Sequence, residues 1–254
     1  MATLDRDGVE IYYDVQGQGP AVLLTHGYSA TSQMWRPQLD ALAAEHTIIT
    51  WGMRGHGRSA SPADGEAYSE TLTTADMAAL LHHLDIETAV IGGLSLGGYM
   101  SLAFNLDFPE MVRALLIIDT GPGFKNDKAR EGWNTYARRT ADDIEKNGLA
   151  AFADRSEEQA TAQHDDLAGL VHAGRHMLTQ SSPRVIESLP HINVPSLVIV
   201  GANDEPFLAA SDYMAAKIPG AGKLVIPDAG HAANMDQPEV FNTAVVGFLG
   251  GLQP

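Results

Sequence analysis

Short apolar runs rich in valine and isoleucine recur along the 254-residue chain, separated by longer stretches whose apolar residues fall at helical spacing. The runs at 9–15 (VEIYYDV), 21–25 (AVLLT), 47–51 (TIITW), 88–93 (TAVIGG), 114–119 (ALLIID), 196–201 (SLVIVG) and 223–227 (KLVIP) predict strands. Most lack polar alternation, the pattern of strands buried on both faces of a parallel sheet. Residues 33–45, 72–84, 96–107, 207–217 and 238–249 predict helices between them. The alternation predicts an α/β fold, and right-handed crossovers place helices on both faces of a mostly parallel sheet.

One region breaks the alternation. From Gly121 to about Ser188 no run reads as a strand, while DKAREGWNTYARRTADDIEKNGLAAF and EEQATAQHDDLAGLVHAGRHML predict amphipathic helices. A segment of this length is too long for a simple crossover. The expected organisation is a core of residues 1–120 and 189–254 with a helical cap, 121–188, inserted at the sheet edge where open α/β sheets bind ligands.

The stretch VIGGLSLGGYM (90–100) runs a predicted strand into four glycines around Ser95. Gly93 and Gly97 flank it at the spacing G-x-S-x-G, and a tight strand-to-helix turn there would hold the hydroxyl clear of the sheet at a helix N-terminus. A serine hydroxyl needs a base to become a nucleophile. Of ten histidines, His231 follows the last predicted strand and precedes the last helix, on a loop at the same edge as Ser95. His82 and His83 fall on a helix, His164, His172 and His176 in the insertion, and His46 and His191 at the opposite edge. Asp204, in GANDEPF, supplies a carboxylate to orient the imidazole and gives the chain order Ser, Asp, His. Asp119, which also ends a predicted strand at this edge, is the competitor and is assigned to orienting loop backbone; Asp228 reads as a turn residue. The amides of Tyr28 and Leu96 are the expected oxyanion hole, with Gly27 turning the chain under the site and His26 supporting the loop. Candidate substrate contacts are Gly27, Met34, Trp35, Phe124, Trp133 and Phe207, and Trp133, Tyr136, Phe152, Met177 and Leu178 give the cap further apolar material.

Composition narrows the partners. A formal charge of −16 disfavours nucleic acid and anionic membranes, which need a basic footprint. The absence of cysteine excludes disulfides and thiolate chemistry. No apolar run approaches the ~20 residues of a membrane span, and MATLDRDGVE has no signal-like pattern, so a cytoplasmic location is expected.

Taken together, HGYS (26–29), RGHGRS (54–59), GLSLGG (93–98), GANDEPF (201–207) and GHAANMDQPEVF (230–241) resemble, in order, the motifs of the α/β-hydrolase superfamily. The resemblance implies an eight-stranded, mostly parallel sheet with a small helical cap, and is strongest to the carboxylesterase and enol-lactonase branch. It implies hydrolysis of a small or medium ester or lactone through an acyl-enzyme on Ser95, with Asp204 and His231 completing the triad and no metal or cofactor. A carbon–carbon bond hydrolase or lyase-like member using the same triad is the alternative, and a non-catalytic ligand-binding protein is a third reading. One position departs from the family: Gly52 stands where an aspartate is usual, two residues before Arg54, and a loosened turn is expected there.

Overall fold

The computed structural model describes residues 2–152 and 156–252; the side chain of Phe152 lies outside the described residues. One sheet holds β1 (Ala2–Arg6), β2 (Val9–Gln16), β3 (Ala21–Thr25), β4 (Thr47–Trp51), β5 (Ala89–Leu94), β6 (Val112–Ile118), β7 (Ser196–Gly201) and β8 (Gly222–Ile226). The strand order is β1-β2-β4-β3-β5-β6-β7-β8. β2 pairs antiparallel with β1 and β4, and every other pairing is parallel. β1 escaped the apolar pattern because none of its five residues is fully buried. Asp7 and Gly8 close it onto β2 with φ values of 56° and 84°, the two positive angles of a tight hairpin turn.

The central strands owe their place to burial on both faces. Leu23, Ile91, Leu115 and Ile117 enter the core on one side of the sheet, and Val22, Leu24, Val90 and Leu116 the core on the other. Each such side chain contributes about 1.5–3 kcal/mol on leaving water. The flanking helices are α1 (Arg36–Leu42), α2 (Glu70–His83) and α3 (Leu96–Asp107), with α4 (Asp127–Asn147), α5 (Glu157–Ala160), α6 (Leu167–His172) and α7 (Arg184–Ser188) between β6 and β7. After β7 come α8 (Glu205–Lys217), α9 (Ala233–Asp236) and α10 (Pro238–Gly250).

Every described element between β6 and β7 is helical. α4 starts where the Asn126 side chain accepts from the Ala129 amide at 3.0 Å, and it buries Ala137, Ala141 and Ile144 along one stripe. The second predicted helix of the insertion does not run through: α5 stops at Ala160, and α6 starts only after Asp166 caps it through the Ala168 amide. Side chains around the break bond elsewhere. Gln159 donates to Tyr28 O at 3.0 Å and Ser29 Oγ at 2.9 Å, and His164 bonds Ser29 O and the Gly57 amide, each at 3.0 Å. Tertiary hydrogen bonds to the loops after β3 and β4 thus replace helical continuity.

Gly52 does not loosen its turn. A Cβ there would lie 2.9 Å from Ser59 Oγ, whose hydroxyl donates to Gly52 O at 2.7 Å and accepts from the Tyr12 amide at 2.9 Å. The carboxylate for Arg54 comes instead from α2: Asp76 accepts from Arg54 Nε at 2.6 Å and Nη2 at 2.9 Å, and both residues are buried.

Candidate active site

β5 ends in a turn that only glycine permits. A Cβ on Gly93 would lie 2.3 Å from Gly97 C, and one on Gly97 would lie 2.2 Å from Thr25 O. That close approach lets α3 start immediately, with Ser95 held at φ 57° and ψ −118°, a strained conformation for a residue with a side chain. Ser95 occupies the N-cap position of α3, yet its hydroxyl caps nothing. Its backbone is secured instead: the amide donates to Ile118 O at 2.9 Å, and the carbonyl accepts from Thr120 Oγ1 at 2.6 Å. Ser29 and Asp119, at the ends of the loop after β3 and of β6, share the positive φ, so strain gathers around this one edge.

Asp204 follows β7 at the N-cap of α8 and likewise makes no cap bond. Its Oδ2 accepts from His231 Nδ1 at 2.9 Å, which leaves the imidazole Nε2 without the proton. Asp204 is buried, while the His231 side chain is 24% exposed. Burial lowers the imidazole pKa, but the hydrogen bond and charge of Asp204 outweigh it, so His231 sits above its ordinary value. Asp119 lies behind this pair. Its Oδ1 accepts from the Gly201 amide at 2.8 Å and its Oδ2 from the Ala233 amide at 3.2 Å, joining the loops that carry Asp204 and His231. Burial raises its carboxyl above the ordinary carboxylate value, against the pull of those amides and of His231.

A cavity of about 190 Å³ opens above Ser95. Leu96, Tyr99, Phe124, Trp133 and Phe207 supply much of its apolar wall, and Phe207 stacks on the His231 ring with centroids 5.0 Å apart. Phe124 and Trp133 therefore come down from the insertion to the serine, as does Leu178, whereas Tyr136 is exposed and Met177 is in the core. Three expected contacts do not arrive. Met34 and Trp35 turn beneath the sheet into the core of Val22, Leu24 and Phe241, because the short helical turn Ser32–Trp35 carries them away from the edge. Gly27 does not line the cavity but lies directly under the serine, where a Cβ would come within 3.4 Å of Ser95 Cβ.

Behind the loop after β3 stand three histidines. His26 donates from Nδ1 to Gly27 O at 2.7 Å and accepts from the Met53 amide at Nε2, 3.0 Å away. Burial pushes it down to about 4 and holds it neutral. His56 and His164 continue the row, in tilted and edge-on ring contacts, and are lowered by the same cause. The Tyr28 hydroxyl donates to Leu170 O at 2.8 Å, so its side chain points into the insertion. The part of Gln159 and His164 in fixing this loop was invisible in the sequence, since nothing local marks them. Among the described residues no group of three or more histidines and carboxylates is placed to hold a metal ion.

A family model described as the alpha/beta hydrolase family matches residues 22–244. A putative 2-succinyl-6-hydroxy-2,4-cyclohexadiene-1-carboxylate synthase from Bacillus subtilis is 30% identical over 96% of this chain and 96% of its own. The 3-oxoadipate enol-lactonase 2 of Acinetobacter baylyi is 27% identical over 96% of this chain and 94% of its own. Among solved structures, a thermophilic esterase from Thermogutta terrifontis superposes with a TM-score of 0.85 at 27% identity, covering 99% of this chain and 97% of that one.

Proposed function

Because the chain belongs to the alpha/beta hydrolase family, we propose that it is a serine hydrolase that cleaves a small ester or lactone through an acyl-enzyme on Ser95. The observation that carries this reading is the uncapped Ser95 hydroxyl, presented by a strained turn at a cavity whose wall residue Phe207 stacks on the imidazole of a hydrogen-bonded His231–Asp204 pair. His231 Nε2 takes the Ser95 proton as the hydroxyl attacks the carbonyl. Asp204 fixes the tautomer and stabilises the imidazolium, and the amides of Tyr28 and Leu96 bind the oxyanion. His231 then protonates the leaving alkoxide, and water activated by the same imidazole releases the acid. Residues 121–188 act as a cap, since Phe124, Trp133, Leu178 and Gln180 from this segment close the cavity over the serine.

Ester cleavage is favoured over carbon–carbon chemistry on a carboxylate-bearing substrate by the wall itself, because among the described residues no lysine or arginine lines the cavity. Arg138 and Arg175, two of the arginines of this segment, are bonded to Glu131 and to Asp142 and Glu145. The test is turnover of p-nitrophenyl esters of increasing acyl length, with Ser95→Ala alongside and mass spectrometry after a fluorophosphonate probe. Activity that falls by several orders of magnitude in the variant, with the probe on Ser95, is expected. Retention of more than a few per cent of the activity overturns the reading.

A further inference from the structure

The cavity over Ser95 is apolar save for one group without a partner. Gln180 is 7% exposed and lines the wall, and its amide oxygen has no hydrogen-bond partner. The other polar side chains of the wall beside Ser95 are engaged: Thr120 donates to Ser95 O, and the Tyr99 hydroxyl donates to Glu70.

The placement of Gln180 is built. Asn134 donates to Gln180 O at 2.9 Å and accepts from the Gln180 amide N–H at 2.8 Å, a two-pronged clamp from the buried face of α4. The neighbouring Trp133 Nε1 donates to Leu178 O at 2.8 Å. These three bonds strap residues 178–180 to α4 and consume the Gln180 backbone, leaving its side chain for the cavity. Room for it comes from Gly123 opposite. This residue has φ 89°, and a Cβ there would stand 2.8 Å from Gln180 Oε1. A buried carboxamide with an idle acceptor is costly unless something pairs with it, and the free protein supplies nothing.

We propose that Gln180 selects substrates carrying an uncharged hydrogen-bonding group, an amide or hydroxyl, in the portion of the molecule that fills this cavity. The proposal rests on the serine hydrolase reading for its substrate but not for its binding site. A carboxamide offers both an acceptor and donors, so it matches a neutral amide or hydroxyl, and with no cation among the described residues of the wall a carboxylate would enter unpaired.

Two matched ester pairs test it on wild type and Gln180→Leu: p-nitrophenyl N-acetylglycinate against p-nitrophenyl pentanoate, and 2-acetamidoethyl acetate against pentyl acetate. Intrinsic reactivity cancels when each variant-to-wild-type ratio of kcat/KM is compared within a pair. In at least one pair the amide member is expected to lose about tenfold or more while the apolar member is unchanged or improves. Tm should hold or rise by a few degrees, because leucine removes an unpaired buried polar atom. Calorimetric titration of N-pentylacetamide into Ser95→Ala, with and without Gln180→Leu, reads the contact without turnover, and about tenfold weaker binding is expected. Equal response of both members in both pairs, unchanged amide binding, or a clear fall in Tm with no change in preference overturns the proposal. Ser95-independent activity would instead overturn the serine mechanism.

Discussion

Asp119 is the residue whose replacement most directly separates a scaffold from a triad member. Its two carboxylate oxygens accept from the amides of Gly201 and Ala233, so one side chain holds the β7 end before Asp204 and the start of α9 after His231. In Asp119→Asn one acceptor survives, and the other becomes an NH₂ group facing an N–H donor. One buried amide then loses its partner, at about 1–3 kcal/mol. For a chain of this length, 1 kcal/mol moves Tm by roughly 2–4 °C, so a fall of roughly 2–12 °C is expected. Loosening of the two loops carries a catalytic consequence, because a misplacement of ~1 Å at the reacting groups costs about a hundredfold. The assay is a thermal melt paired with a kcat/KM profile against pH on a p-nitrophenyl ester. Lower Tm and lower kcat, with the pH limb of His231 in place, fit a positioning role. Wild-type Tm with the activity loss and pH shift of Asp204→Asn would refute it and make Asp119 the acid that serves the imidazole.

Two pH predictions follow from the histidines. His231 must be neutral to accept the Ser95 proton, and its pKa is raised, so kcat/KM should climb with pH through an apparent pKa above 6.5. Asp204→Asn should lower kcat by about 10⁴ and move that limb to lower pH; a wild-type limb well below 6.5 contradicts the assignment. His26, His56 and His164 have the opposite sign: burial lowers each in the folded protein, His26 to about 4, so the unfolded chain binds more protons. Their contribution is complete above about pH 6.5 and is lost as pH falls toward 4. Urea midpoints measured between pH 7.5 and 4.5 should show this decline, shallower in His164→Gln, and an unchanged slope in that variant would remove His164 from the account.

Much of the architecture was legible because central strands of a parallel sheet are buried on both faces and write themselves as unbroken apolar runs, as AVLLT and ALLIID do. β1 was not, since its ATLDR carries no such run; the Asp7-Gly8 pair before VEIYYDV was the available signal, a turn chemistry that marks hairpins where hydropathy is silent. Met34 and Trp35 went astray for a different reason. An apolar residue just past an edge loop serves either the site or the far core, and only the path of Ser32–Trp35 under the sheet decides. The broken helix at 161–166 was hidden too, because the bonds that interrupt it reach back more than a hundred residues, from His164 to Ser29 and Gly57.

The same logic explains why the candidate site stands out once the backbone is known. Ser95 and Asp204 both occupy helix N-cap positions, where serine and aspartate ordinarily turn their oxygens onto the first amides and contribute ~1 kcal/mol each. Neither does so. Asp204 gives its carboxylate to His231, and Ser95 leaves its hydroxyl to the cavity while its backbone stays in a strained well. Gln180 adds a third forgone local gain, an amide oxygen with no partner in a wall otherwise apolar. Natural sequences are locally consistent nearly everywhere, so stabilisation forgone at adjacent positions points to demands other than folding. Here the three residues come from the N-cap of α3, from the turn after β7 and from the helical insertion; Ser95 and Gln180 line one cavity, and Asp204 is joined to its wall through His231, whose ring stacks on Phe207.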